Sequence, residues 1–495
     1  MTVTATSGNG PVDVLLLTPP TTSAVNPAHH PRAIRSAGAY PPLGLACLAG
    51  ELKAAGIAVR ILDLKVQPRP FPTLTKTLQS LRPRVVGIGA MTLDLPAVSE
   101  LSARVRQALP DSLIVVGGPC LEDYPEEVLT RLGQTDLCVR GEGELTFREV
   151  VERYLAGSTV EGLAGTVFRD HERRVRRAPE RPLVERLDSL ARPAYHLIDF
   201  ARYAPAVARG SRYATMYTTR GCPFRCTYCH RQSWLTSVRN HSPERVAEDV
   251  RHLISDLGVE EIKFYDETFT LDRRWVLDLC ARLGELQASV PWEIRTRPEL
   301  LDQKLVGALK AAGCYRVCIG VEGGSEERLR RMGRPVPLDA VRTAFRLAHE
   351  AGLSTLAFFM LGFPGDSRQD YRDVRRLLAE LGPTWVVLAI TTAYANTAIY
   401  QELLASGRLT RDVWRDFTLG RCSTVEVADV TFDGLDYPRR ELEAMVKRAY
   451  VGYYLGWRPA LRILREVRSV RQLGSFARLA LGLGQTMFEP WGSQG

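Results

Sequence analysis

Three thiols on one short stretch are the feature of this sequence that most resembles chemistry. They lie in Gly221-Cys222-Pro223-Phe224-Arg225-Cys226-Thr227-Tyr228-Cys229, a Cys-x3-Cys-x2-Cys spacing. A saturated [4Fe–4S] cluster takes four cysteine ligands. No fourth cysteine follows nearby, so a cluster held by Cys222, Cys226 and Cys229 leaves one iron open. An open iron can chelate a substrate through an amine and a carboxylate, which separates a cluster that does chemistry from one that only carries electrons. The competing reading is structural zinc, with His230 as the fourth ligand. His230 directly follows Cys229, and neighbouring side chains point apart, so the cluster is the stronger reading.

The elements that must position this loop read as two alternating α/β regions. In the first, apolar runs at Val12–Leu17, Val59–Leu62, Val85–Gly89, Leu113–Val116 and Asp136–Val139 alternate with helical segments at Leu43–Ala55, Ala97–Ala108 and Pro125–Arg131. Strands alternating with helices imply a parallel sheet covered on both faces. The reading is a doubly wound, Rossmann-like domain over residues 11–155. Such sheets bind ligands at the carboxyl ends of their strands. Those ends carry Gly89-Ala90-Met91-Thr92, Gly117-Gly118-Pro119 and Gly141-Glu142-Gly143-Glu144. Thr92, Gly117, Gly118, Gly141, Glu142 and Gly143 are therefore candidate cofactor contacts, because glycine lets a large ligand approach the backbone. Residues 156–205 read as a connector with a small hairpin near 165–175.

The second region, residues 206–430, gives strands at Ala214–Thr218, Glu261–Tyr265, Trp292–Arg295, Arg316–Gly320, Thr355–Leu361 and Trp385–Ile390, with helices between them. Six strands are too few for an eight-unit barrel, so a partial six-unit barrel is expected. The cysteine loop follows its first strand and sits on the barrel top. Residues 431–495 form a helical, arginine-rich tail with Arg458, Arg462 and Arg465. It reads as packing on its own domain with arginine facing water, and membrane association is not expected.

Composition narrows the class further. The chain has 495 residues, 45% hydrophobic, with a net charge of +9. Ten cysteines in a chain this long do not form a disulfide scaffold. No aromatic and basic interleaving suggests a nucleic-acid platform. The first eleven residues lack a signal peptide's basic and apolar regions, so the expected compartment is the cytoplasm.

The cysteine triplet, with Tyr228 before the last thiol, resembles the signature of the radical S-adenosylmethionine (SAM) superfamily. The similarity continues through Phe264-Tyr265-Asp266-Glu267, Thr296-Arg297-Pro298-Glu299, Gly320-Val321-Glu322-Gly323-Gly324 and Met360-Leu361-Gly362-Phe363-Pro364-Gly365. With Tyr40-Pro41-Pro42-Leu43-Gly44 and the Gly-bearing loops, the chain is similar to the branch with a cobalamin-binding domain. The resemblance implies that the open iron binds SAM, and that one electron cleaves it to a 5′-deoxyadenosyl radical. It implies SAM contacts from Asp266, Glu267 and Glu322, and from Arg295 or Arg297 toward the SAM carboxylate or a substrate anion. Asp266-Glu267 also reads as a cap for the helix that follows, and Glu322 as an ion-pair partner of a neighbouring arginine. Two departures stand out. Cys120 occupies the place where relatives often carry histidine, and Ala393-Tyr394-Ala395-Asn396-Thr397 replaces a Pro-Tyr-Pro-Gly-Thr run.

The resemblance implies a [4Fe–4S] cluster, SAM and cobalamin as cofactors, a small-molecule substrate of secondary-metabolite type, and an electron donor such as a flavodoxin or ferredoxin. The leading activity is cobalamin-dependent C-methylation, with no histidine of the Asp-x-His-x-x-Gly type to ligate cobalt. The alternative is a cobalamin-independent dehydratase, epimerase or cyclase acting on a sugar or antibiotic precursor. A non-catalytic corrinoid or cluster sensor is the third reading.

Overall fold

A computed structural model describes residues 12–20, 39–203, 208–230, 237–286, 289–423, 436–467, and 472, 474 and 476. The polar stretch Asn26–Tyr40, which reads as a loop, falls almost wholly outside them.

The first sheet contains β1 (Val14–Thr18), β2 (Val59–Asp63), β3 (Val85–Gly89), β4 (Leu113–Gly117), β5 (Leu137–Val139), β6 (Thr166–Arg169) and β7 (Val175–Arg177). Their order is β2-β1-β3-β4-β5-β6-β7. β1 to β5 pair in parallel, whereas β6 and β7 add antiparallel. The hairpin read as connector thus extends the first sheet.

Alternate residues of β1 serve two cores. Val14 and Leu16 pack with one cluster, Leu15 and Leu17 with the other, as a strand covered on both faces must. Among the described residues five helices surround the sheet: α1 (Leu43–Ala54), α2 (Pro70–Leu81), α3 (Leu95–Ala108), α4 (Pro125–Arg131) and α5 (Gly143–Leu155). The sequence reading missed α2 and α5. Pro70 and Pro72 mask the start of α2, although proline is tolerated in a first helical turn. Gly143 opens α5 rather than ending a loop, and the turn belongs to Gly141 at φ +67°.

The second sheet holds six parallel strands: β8 (Tyr213–Met216), β11 (Glu261–Phe264), β12 (Trp292–Thr296), β13 (Cys314–Glu322), β14 (Ser354–Leu361) and β15 (Trp385–Ile390). Their spatial order follows their chain order. A two-stranded antiparallel ribbon of β9 (Thr219–Arg220) and β10 (Arg239–Asn240) flanks the cysteine loop. Its helices are α6 (Pro243–Ser255), α7 (Arg273–Gly284), α8 (Gln303–Ala311), α9 (Glu326–Arg331), α10 (Leu338–Glu350) and α11 (Arg368–Leu381). Ser242, Asp272, Asp302, Ser325 and Ser367 cap α6, α7, α8, α9 and α11 through their side chains.

Beyond the barrel come α12 (Ala398–Ala405), α13 (Val413–Thr418), α14 (Arg439–Tyr454) and α15 (Trp457–Glu466). α14 lies along the edge strand β15, where the Tyr454 and Tyr450 hydroxyls accept the Val386 and Leu388 amides at 3.0 and 2.9 Å. α15 departs from expectation. Trp457 and Leu464 are 69% and 59% exposed, while Glu466 is buried. The cause is the pull of Glu466 on two buried donors, Arg316 Nη2 at 3.1 Å and Trp385 Nε1 at 3.0 Å. Among the described residues no helix is long and apolar enough to cross a membrane.

Candidate active site

The cysteine loop begins where β8 runs out. Asp266, following β11, is fully buried and fixes that exit. Its carboxylate accepts the Thr218 and Thr219 amides at 2.7 and 2.5 Å, and both threonine hydroxyls at 3.1 and 3.0 Å. Burial pushes its carboxyl up to about 6. The expectation that Asp266 holds the SAM ammonium is corrected: its oxygens are spent on the backbone beneath the loop. The helix cap is also elsewhere, at Asp272. Glu267 stands open to water at the rim.

The loop is tied at both ends to the first domain. Before it, Arg220 donates to Glu142 at 2.9 Å and to Glu144 at 2.5 Å. Across the ribbon, Arg239 pairs with Arg220 in register and also reaches Glu142 at 2.9 Å. Two guanidiniums facing each other would repel, and the shared carboxylate removes that cost. Burial alone would raise the Glu142 carboxyl, but Arg239 and Arg220 outweigh it and hold it below its ordinary value. Glu142 is thus a strut between domains, which corrects its assignment as a cofactor contact. After the loop, His230 Nε2 lies 2.9 Å from Asp123, which also accepts from Asn396 at 2.7 Å. That bond raises the His230 imidazole and occupies its Nε2, which weighs against a zinc ligand role.

Between these ties, Gly221 takes φ +101° to start the loop. Thr227 anchors its middle, donating its amide to Met332 and accepting from Ile399. Cys222 and Cys226 are half-buried and Cys229 is exposed. Among the described residues no three Cys, His, Asp or Glu side chains close around a metal-sized point. The donor set nonetheless fits an iron–sulfur cluster: three thiols on one open loop, with no fourth cysteine in it. Arg297 supplies the complementary charge. It is buried, its Nη1 lies 3.6 Å from Cys226 Sγ, and its guanidinium covers the Phe224 ring at 3.7 Å.

Sequence reasoning left Arg295 and Arg297 undivided, and the structure separates them. Arg297 faces the thiols, while Arg295 lies over Tyr265 at 4.0 Å, deeper in the barrel. Glu322 ends β13 at φ +67°, a costly conformation for a residue with a side chain. Burial raises its carboxyl despite Arg334, Arg328 and Arg297 nearby. The expected ion pair does not form within 4.0 Å among the described residues. Tyr228 is half-buried, close to Cys226, Glu322 and Arg334.

The first domain presents its strand ends as an open shelf. Met91 is 53% exposed, Thr92 and Gly117 are half-buried, and Gly118 and Gly141 are exposed. At Gly118 (φ +110°) a Cβ would meet the Ala90 carbonyl at 2.6 Å, so only glycine fits. Gly143 instead packs on α1, with Leu48 in ordinary contact at 3.4 Å. Cys120 is 3% exposed and burial pushes its thiol up to about 12, so it faces the core. This shelf of small side chains, free of histidine in all three loops, fits a cobalamin bound without a protein ligand on that side.

Family models match two separate stretches of the chain. The radical SAM superfamily model matches residues 216–410 and the B12 binding domain model matches residues 30–151. The chain carries a radical SAM domain and a B12-binding domain. This radical SAM enzyme falls in the branch with a B12-binding domain, and its cofactors are a [4Fe–4S] cluster, SAM and cobalamin. It is 29% identical over 450 residues to the uncharacterized methyltransferase PH0819 of Pyrococcus horikoshii, covering 89% of this chain and 92% of that one. It is 26% identical over 387 residues to the anaerobic magnesium-protoporphyrin IX monomethyl ester cyclase of Cereibacter sphaeroides, spanning 77% of this chain and 63% of the cyclase. Among solved structures, the radical SAM methyltransferase TsrM of Kitasatospora setae, with cobalamin and a [4Fe–4S] cluster bound, shares the fold. The TM-score is 0.66 at 18% identity, with 81% of this chain and 76% of TsrM covered.

Proposed function

We propose that this enzyme is a cobalamin-dependent methyltransferase acting on an unactivated carbon of a small molecule of secondary-metabolite type. One observation carries the reading: the residues on either side of the cysteine loop, Arg220 and His230, are each fastened to the first domain. That arrangement sets the shelf of strand ends and the barrel mouth over the same loop.

Cys222, Cys226 and Cys229 would hold the cluster, with Arg297 and Tyr228 beside it. Thr92, Gly117, Gly118 and Gly141 would underlie the corrin. Glu322 and Glu267 face the mouth as acceptors for the SAM amine or ribose. When bound, the cluster supplies the electron that cleaves SAM, and cobalamin supplies a transferable methyl group. Asp266 acts through Thr218 and Thr219 as a positioning residue for the loop. The electron would come from a flavodoxin or ferredoxin in the cytoplasm. The similarity to PH0819, which covers most of both chains, supports methylation.

The test is anaerobic reconstitution with spectroscopy for corrinoid and iron–sulfur bands, then mass spectrometry of reaction mixtures. Methylation adds one CH2 unit to the product, whereas dehydration loses water and ring closure or epimerisation adds no carbon. A corrinoid-free enzyme at full activity overturns the reading. So does a Cys222→Ala, Cys226→Ala, Cys229→Ala variant that keeps its iron and its 5′-deoxyadenosine production.

A further inference from the structure

The second sheet has one face under helices and one open. On β14, Ala357, Phe359 and Leu361 are buried, while Leu356, Phe358 and Met360 are partly accessible. β15 repeats the alternation, with Val387 and Ala389 accessible. On β12 and β13 the accessible positions are Arg295, Gly320 and Glu322. Side chains alternate across a strand, so these residues share the concave face, which water reaches. Its β14–β15 side is apolar. Its β8–β12 side carries Tyr217, Tyr265 and Arg295.

Cations of this face differ in their partners. Lys263 and Arg316 both pair with Glu293, Arg316 also pairs with Glu466, and Arg297 pairs with Glu299. Arg295 has no carboxylate within ion-pair distance among the described residues, and its enclosed Nε has no hydrogen-bond partner. Aromatic rings surround it, Tyr265 at 4.0 Å and Phe358 at 6.0 Å. Tyr265 also hydrogen-bonds the guanidinium, but a neutral phenol leaves its charge without an anion, and its planar fork suits a carboxylate or phosphate.

We propose that Arg295 is the substrate-anchoring residue of this enzyme, and that the substrate is amphipathic. Its apolar body lies along Leu356, Phe358, Met360, Val387 and Ala389, and its carboxylate or phosphate sits on Arg295. The SAM carboxylate belongs elsewhere. Arg297, beside Cys226, lies two residues nearer the thiols, roughly 7 Å along the strand. The proposal rests on the radical SAM reading only for the place it gives SAM.

Calorimetric titration of the anaerobically reconstituted protein with octanoate, octyl phosphate and octanol tests it, with and without saturating SAM. At least one anion should bind ten times tighter than octanol, and the tighter of the two names the group. R295Q should bring that anion to the level of octanol, with R295K keeping part of the preference. No anion preference in the wild type, a preference that survives R295Q, or displacement of the anion by SAM overturns the proposal. A wild-type protein that keeps the preference but makes no 5′-deoxyadenosine would instead sink the radical reading and leave the subsite standing.

Discussion

Arg220 stands two residues before Cys222, with its Nη1 2.9 Å from Glu142 of the first domain. The same carboxylate holds Arg239 across the ribbon at 2.9 Å. A single acidic side chain therefore fixes both strands that carry the cysteine loop and joins that loop to the opposite domain. Removing one partner from a buried ion pair costs about 3–5 kcal/mol. Glu142→Gln should lower thermal stability by that amount and reduce iron retained per chain after reconstitution.

The pH dependence of this strut has a definite sign. Its carboxyl is held below 4.5 in the folded chain, so its contribution is present above that value and is lost as pH falls through the folded one. Wild type should lose stability on acidification below about pH 4.5 more steeply than Glu142→Gln. Parallel slopes in calorimetric titrations would contradict this.

Asp266 has the opposite sign. Burial raises its carboxyl from 3.8 to about 6, so the folded chain binds the extra proton and stability falls as pH rises through that window. The total change is on the order of 3 kcal/mol. Asp266→Asn removes this slope, so the stability advantage of wild type over the variant should shrink between pH 3.8 and about 6.

Arg297 places a donor 3.6 Å from Cys226 Sγ. A hydrogen bond to a charged group contributes about 1.5–3 kcal/mol. Arg297→Gln should therefore make the cluster harder to reduce, lowering its potential by roughly 65–130 mV. A redox titration followed by electron paramagnetic resonance measures this. An unchanged potential would mean that the guanidinium does not bear on the cluster.

Glu466 binds Arg316 and Trp385 from α15. Glu466→Ala should free α15 and cost about 3–5 kcal/mol. Hydrogen exchange over Trp457–Glu466 should accelerate, with the strands of the first sheet unaffected.

Much of this arrangement was legible in the chain. Parallel strands read as continuous apolar runs, which is why β3 and β15 were found to the residue. The thiol spacing is local and needs no fold to interpret. What stayed hidden was set by partners distant in sequence. Glu142 looked like one acid in a glycine loop, and its partner Arg220 comes 78 residues later. Arg295 and Arg297 have the same type and parity, and only the cysteine loop on one and the tyrosine rings on the other distinguish them. Asp266 announced an acid at a strand end but not that backbone amides would claim it.

A barrel that stops at six strands ends in a ladder of unpaired amides, the kind of margin on which a second molecule can grow a fibre. Here two phenolic oxygens on one helix occupy Val386 and Leu388 in place of a seventh strand. The chain thereby carries its own protection against self-association. A version cut before Arg439 would lose that guard and should aggregate through β15 while its cofactor-binding loops remained intact.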